Sequence, residues 1–207
     1  EAATRAGLLC KADLATAVVG EFPSLQGIMG REYAAMGSED AAVPSAIFEH
    51  YLPRFAGDDL PESEAGLALA LADRLDTLVG CYSLGLVPTA TKDPYALRRA
   101  ALACVRMLAE KGVTATGLLE LVQLAVDNYG DVITRDGDKL EEQILGFVKG
   151  RLRHWLAVDH ATEMVDACMA PGCDCPYEVL EKVLATEPLR GHENYEDLIQ
   201  PFKRVIN

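Results

Sequence analysis

Apolar residues recur at helical spacing along nearly the whole chain. Over 3–19, Leu8, Leu9, Ala12 and Ala15 lie on one face, which predicts a first helix ended by Gly20 and Pro23. Leu25, Ile28, Met29 and Tyr33 place a second helix over 23–36, with Pro23 in its first turn. A third spans about 42–52 and stops before Pro53; 54–61 reads as a loop, and Ser63 as the cap of the next helix. The strongest stripe lies in 64–82, where Leu67, Leu71, Leu75 and Leu78 recur at steps of four, four and three. Further helices are predicted over 94–110, 115–129, 139–156, 160–169, 176–185 and 187–202. Alternating Val-rich runs bounded by hairpin turns are missing.

The pattern predicts an all-α fold of about ten helices with no substantial sheet, whose stripes two packed helical layers would bury. The polar run at 131–138, Asp-Val-Ile-Thr-Arg-Asp-Gly-Asp, is the best boundary. It divides a helical core over 1–130 from an additional helical subdomain over 131–207 packed on that core, with one continuous domain left open. The opening residues already read as helix without an initiator Met, and the chain stops at Lys203-Arg204-Val205-Ile206-Asn207, the pattern expected of a piece of something longer.

Composition narrows the function classes. Half of the 207 residues are hydrophobic and a quarter are charged, so there is ample material for a core. No run is long and apolar enough for a transmembrane helix, and no basic segment precedes an apolar stretch as in a secretion signal. The net charge of −13 opposes broad binding to nucleic acid or anionic lipid, while leaving room for a local basic patch. The six cysteines are too sparse for a disulfide scaffold, which favours a reducing, cytoplasmic setting. Cys10, Cys81 and Cys104 sit among Leu, Ala and Val as small buried hydrophobes. Cys168, Cys173 and Cys175 lack the paired spacing of a zinc site and read as an inter-helix turn.

No dinucleotide, phosphate-loop, zinc-protease or nucleophile-elbow motif is present. An EF-hand over 127–138 fails, because Gly137 would put Val132 at the first ligand. Asp73 and Asp76, three apart, share a helix face and suit either a divalent ion or ordinary surface pairing. Lys11 and Asp13 stand in an apolar helix and need tertiary partners if buried. Two basic groups stand out against the acidic background. Arg98 and Arg99 open a helix that also carries Arg106. Lys149, Arg151, Arg153 and His154 lie beside Phe147 and Trp155. Such groups can grip phosphates. The segment Glu49-His50-Tyr51-Leu52-Pro53-Arg54-Phe55-Ala56-Gly57-Asp58 runs from aromatic and basic residues into an acidic turn; it reads as a structural corner or a ligand rim.

Several of these segments carry a family resemblance. Lys11-Ala12-Asp13-Leu14 with Val19-Gly20-Glu21-Phe22-Pro23-Ser24-Leu25-Gln26-Gly27-Ile28-Met29-Gly30 resembles the beta subunit of the bacterial two-subunit glycyl-tRNA synthetase. So do Glu49-His50-Tyr51-Leu52-Pro53 with Gly57-Asp58-Asp59-Leu60-Pro61, Ala72-Asp73-Arg74-Leu75-Asp76-Thr77-Leu78-Val79-Gly80, and Lys92-Asp93-Pro94-Tyr95-Ala96-Leu97-Arg98-Arg99-Ala100. The resemblance is densest over 8–108 and returns at 202–207. It implies an HD-like helical region from the middle of a larger subunit. The parent enzyme would join glycine to its tRNA using ATP and Mg, mainly through a partner alpha subunit, with the beta subunit supplying tRNA recognition.

In a working HD phosphohydrolase, a His-Asp pair and a later Asp hold metal. Here Lys11 stands where the His is expected, with Asp13 and Asp73 at the two Asp positions. An ammonium has no lone pair to donate and brings positive charge into the metal's place. The expectation is therefore no catalytic residue, metal or cofactor in this chain, with Lys11 ion-paired to Asp73. The module would scaffold the subunit and touch tRNA through Arg98, Arg99, Lys149, Arg151 and Arg153, chosen for charge placement. The alternatives are a metal-dependent HD-type phosphohydrolase and a purely structural spacer for subunit assembly.

Overall fold

The structure, a computed structural model, describes residues 1–133, 136–169, 172 and 174–191. Among them there are ten α-helices, four short 3-10 helices and no strand. The all-α expectation holds. The helices are α1 (Ala2–Leu9), α2 (Ala17–Glu21), α3 (Ile28–Met36), α4 (Ala42–Glu49), α5 (Glu64–Ser83), α6 (Leu97–Glu110), α7 (Leu118–Asp127), α8 (Gly137–Leu156), α9 (Thr162–Cys168) and α10 (Pro176–Thr186).

α5 is the spine, and Ser63 caps it by accepting the Gly66 N–H at 3.0 Å. Its first turns support a small core made by Ala6 of α1, Ala34 of α3, and Val43, Ala46 and Ile47 of α4, against Ala65 and Leu69. Its remaining length enters the main core. There Leu71, Leu75, Leu78 and Val79 meet Leu97, Val105 and Leu108 of α6, Val122 of α7, Ile144, Val148 and Leu152 of α8, and Val179 and Val183 of α10. Fully burying each such side chain stabilises the fold by about 1.5–3 kcal/mol, so this shared core supplies most of the cohesion. Trp155 packs against it half-buried.

The first two predicted helices are not continuous. The 3–19 helix breaks after Leu9 into a 3-10 turn, Ala12–Ala15, and the short α2. Lys11 takes a left-handed conformation at φ 70°, which no helix continues through. The 23–36 helix breaks likewise into a 3-10 turn, Pro23–Leu25, and α3, because Gly27 has φ 78°. α6 begins at Leu97 rather than 94, where the Asp93 carboxylate accepts the N–H groups of Leu97 at 2.9 Å and Arg98 at 3.0 Å. The predicted helix at 187–202 is a 3-10 turn over Glu187–Gly191, and its remainder lies outside the described residues.

Candidate functional site

The break in the first helix sends Lys11 and Asp13 in opposite directions. Lys11 turns outward at the break and its ammonium pairs with the Asp73 carboxylate on α5. Asp13 points the other way and is almost fully buried, at 1% exposure. Its Oδ2 accepts the Gly27 N–H at 2.7 Å and the Gly30 N–H at 3.2 Å. Gly30 is required there: a Cβ would sit 2.8 Å from Ile47 Cγ2 and 3.3 Å from Asp13 Cγ. Asp13 thus holds the Gly27 turn and the start of α3 through Oδ2, while its Oδ1 is buried without a hydrogen-bond partner; the exposed Lys11 pairs across the surface with Asp73.

His50, at the end of α4, is fully buried at 0% exposure. Its Nδ1 lies 2.5 Å from the Ile47 carbonyl. A carbonyl only accepts, so Nδ1 carries the proton, and Nε2 finds no hydrogen-bond partner in the protein. Burial lowers the His50 pKa, opposed by the Ile47 bond and the Asp73 charge. The ring is therefore a neutral structural imidazole in tilted contact with Tyr51, with centroids 3.9 Å apart and planes 45° apart. Burial also pushes the Tyr51 phenol up to about 12. Among the described residues, no three His, Cys, Asp or Glu side chains come together as a metal site would need. Asp76 offers its main-chain carbonyl to the Tyr129 hydroxyl at 3.0 Å.

Sequence reasoning missed two buried arginines. Arg74 of α5 donates to the carbonyls of His50 at 2.7 Å, Tyr51 at 2.9 Å, Pro53 at 3.2 Å and its own-helix Ala70 at 3.2 Å. Arg106 of α6 donates to Ala56 at 2.7 Å and Asp58 at 3.3 Å and pairs with Glu110 at 2.6 Å. Both hold the corner at 50–58. Arg74 gave one usable signal: a cation inside the leucine stripe of α5 must find acceptors inside the fold.

The five basic candidates divide between two helices. Arg98 pairs with Asp93 at 3.8 Å and donates to the Thr89 carbonyl. Lys149 pairs with Asp174 at 3.4 Å; the same carboxylate accepts the Leu119 N–H at 2.9 Å. Arg151 lies over the Phe147 ring, 5.7 Å from its centroid. Arg153 grips Asp166 with two bonds, at 2.5 and 2.8 Å. Arg99 is exposed and has no protein partner among the described residues.

The described cysteines are free. Cys104 is buried as expected, whereas Cys10 and Cys81 are only half-buried. Cys168 lies 3.8 Å from the Thr186 hydroxyl and Cys175 donates to the Val113 carbonyl at 3.4 Å; Cys173 lies outside the described residues.

Comparison with known proteins decides what this helical assembly belongs to. The family model described as glycyl-tRNA synthetase beta subunit matches residues 1–170. The chain belongs to the glycyl-tRNA synthetase beta subunit family. It is 44% identical over 204 residues to the glycine–tRNA ligase beta subunit of Geobacter metallireducens, covering 99% of this chain. The corresponding subunits of Trichlorobacter lovleyi and Geobacter sulfurreducens are 42% and 41% identical over 205 and 204 residues, each again covering 99% of this chain. The chain spans about 30% of the length of these relatives. Membership places the Lys11–Asp73 pair and the corner at 50–58 inside a beta-subunit segment. No described helix is long and apolar enough to cross a membrane.

Proposed function

We propose that this chain is a non-catalytic helical module of a glycyl-tRNA synthetase beta subunit, which scaffolds the subunit and contributes to binding glycine tRNA. The observation that carries the reading is the Lys11–Asp73 ion pair inside a chain of this family. In an HD-like arrangement these positions would present metal ligands; here an ammonium neutralises the carboxylate instead. Lys11, Asp13 and Asp73 are then degenerate HD-like positions. Glycine activation with ATP and Mg belongs mainly to the partner alpha subunit, and the assembly works in the cytoplasm. α8 and α10 share the main core with α5, α6 and α7, and on that ground one continuous domain, rather than a subdomain divided off at 131, is the organisation proposed.

Arg98, Arg99, Lys149, Arg151 and Arg153 are the proposed phosphate contacts. Arg99 ranks first, because it has no internal partner to release. Phosphate binding by Arg98, Lys149 or Arg153 would have to compete with a carboxylate already in place. That engagement favours a second reading, in which the module is a structural spacer between subunits without RNA contact.

A salt titration of the complete beta subunit against glycine tRNA and a non-cognate tRNA separates the two. The first reading predicts saturable binding that weakens with salt, and a lower salt slope, by about one, when Arg99 is replaced by Ala. An unchanged slope and affinity after replacing all five basic residues would leave the spacer.

A further inference from the structure

The corner between α4 and α5 is held more firmly than an exposed turn requires. From one side Arg74 binds the carbonyls of residues 50, 51 and 53, and from the other Arg106 binds those of 56 and 58. Across the turn, the Asp58 carboxylate accepts the Arg54 main-chain N–H and Nε–H, both at 2.8 Å, and Nη2–H at 3.0 Å. The Arg54 guanidinium holds the Asp58 carboxyl down at about 2, so this clasp stays charged at neutral pH. Two buried guanidiniums are costly to desolvate, and here they fix one short loop. At its tip the loop presents Phe55 to solvent, 58% exposed.

Phe55 and Arg99 border one shallow notch, with Pro53, Ala56, Leu102 and Ala103 as its apolar lining. The acids at the notch are committed: Asp58 to Arg54, and Glu110 to Arg106. Asp59 also lies within electrostatic reach of Arg54. Arg99 remains the cation without a protein partner among the described residues. A rigidly presented ring beside an uncommitted guanidinium is the pairing that unstacked nucleotides use: a face for the base and a charge for the phosphate. The notch holds only about 10 Å³, too little to bury a partner's anchoring side chain, whereas a base needs only a surface to lie on.

We propose that Phe55 and Arg99 form a single-stranded RNA contact, with the ring stacking on an unpaired base and the guanidinium meeting the neighbouring phosphate. This rests on the tRNA-binding reading above and assigns its contact point. Arg74 and Arg106 position the contact and touch no RNA themselves.

The test measures glycine-tRNA affinity of the complete beta subunit, assembled with its partner, across a salt series. Phe55→Ala weakens binding about 5- to 150-fold and leaves the salt slope unchanged, and Phe55→Trp restores it. Arg99→Ala weakens binding and lowers the slope by about one, and Arg99→Lys recovers the slope. Both side chains are exposed, and unchanged thermal unfolding of the variants confirms that the fold is kept. Wild-type protein that binds tRNA while Phe55→Ala and Arg99→Ala bind equally well overturns the contact and spares the tRNA reading. Wild-type protein that binds no tRNA overturns both. Intact tRNA affinity with loss of subunit association in Phe55→Ala assigns the ring to a protein interface and overturns the proposal.

Discussion

The Lys11 ammonium is paired with the Asp73 carboxylate across 62 positions of sequence. It ties the break after α1 to the spine helix α5. The Lys11 side chain is 44% exposed and that of Asp73 23%, so solvent screens the pair. A double-mutant cycle with Lys11→Met and Asp73→Asn should give a coupling energy of about 1 kcal/mol or less by urea unfolding. A coupling several times larger would mean that the pair is desolvated.

Asp13 is the opposite case. Its buried carboxylate accepts two backbone N–H groups, those of Gly27 and Gly30. Asp13→Ala leaves both without an acceptor and should cost about 2–4 kcal/mol. Asp13→Asn can keep an oxygen at the Oδ2 position, which accepts both N–H groups, and should cost less than Asp13→Ala. Thermal unfolding of both variants checks the order; equal losses would show that packing, rather than acceptance, is what the carboxylate supplies.

His50 makes stability depend on pH. Its folded pKa is lowered by burial from the ordinary 6.5, so the unfolded chain takes up a proton that the folded chain refuses. This contribution is complete above about pH 6.5 and is lost as pH falls from there toward the folded value, with a slope of at most about 1.4 kcal/mol per pH unit. His50→Gln should flatten the stability curve between pH 7 and pH 5, even if the variant is weaker throughout. Parallel curves for the two proteins would contradict a neutral buried ring.

Arg74 tests the corner. Arg74→Lys keeps the charge but loses the planar fork that reaches four carbonyls, and should cost about 2 kcal/mol or more in urea unfolding. A variant as stable as wild type would show that water satisfies those carbonyls equally well.

The helices are legible in the sequence wherever an apolar stripe meets one core. α5 is visible from Leu67 to Leu78, and its Ser63 cap from a single hydroxyl. The break at Lys11 is not, because its cause lies 14 and 17 residues beyond Asp13, in the Gly27 and Gly30 N–H groups that this carboxylate takes. The Lys11–Asp73 pair is expected only through family resemblance, since no local spacing links the two residues. Spacing alone groups Arg106 with Arg99 on one basic face. The structure buries Arg106 at 8% exposure under the 50–58 corner and leaves Arg99 in solvent. Spacing along one helix places two cations on the same side but cannot tell which of them a distant loop will cover. The corner itself stands out as odd in sequence, yet the two arginines that hold it come from helices further along the chain.

A module that serves tRNA rather than glycine chemistry separates the two half-reactions of the enzyme. The most direct measurement compares two reactions of the assembled enzyme carrying Arg99→Ala with Phe55→Ala: glycine-dependent ATP–pyrophosphate exchange, which needs no tRNA, and tRNA charging. Exchange should be unchanged and the KM for tRNA raised. An equal fall in both reactions, with tRNA KM unchanged, would contradict that role for the module.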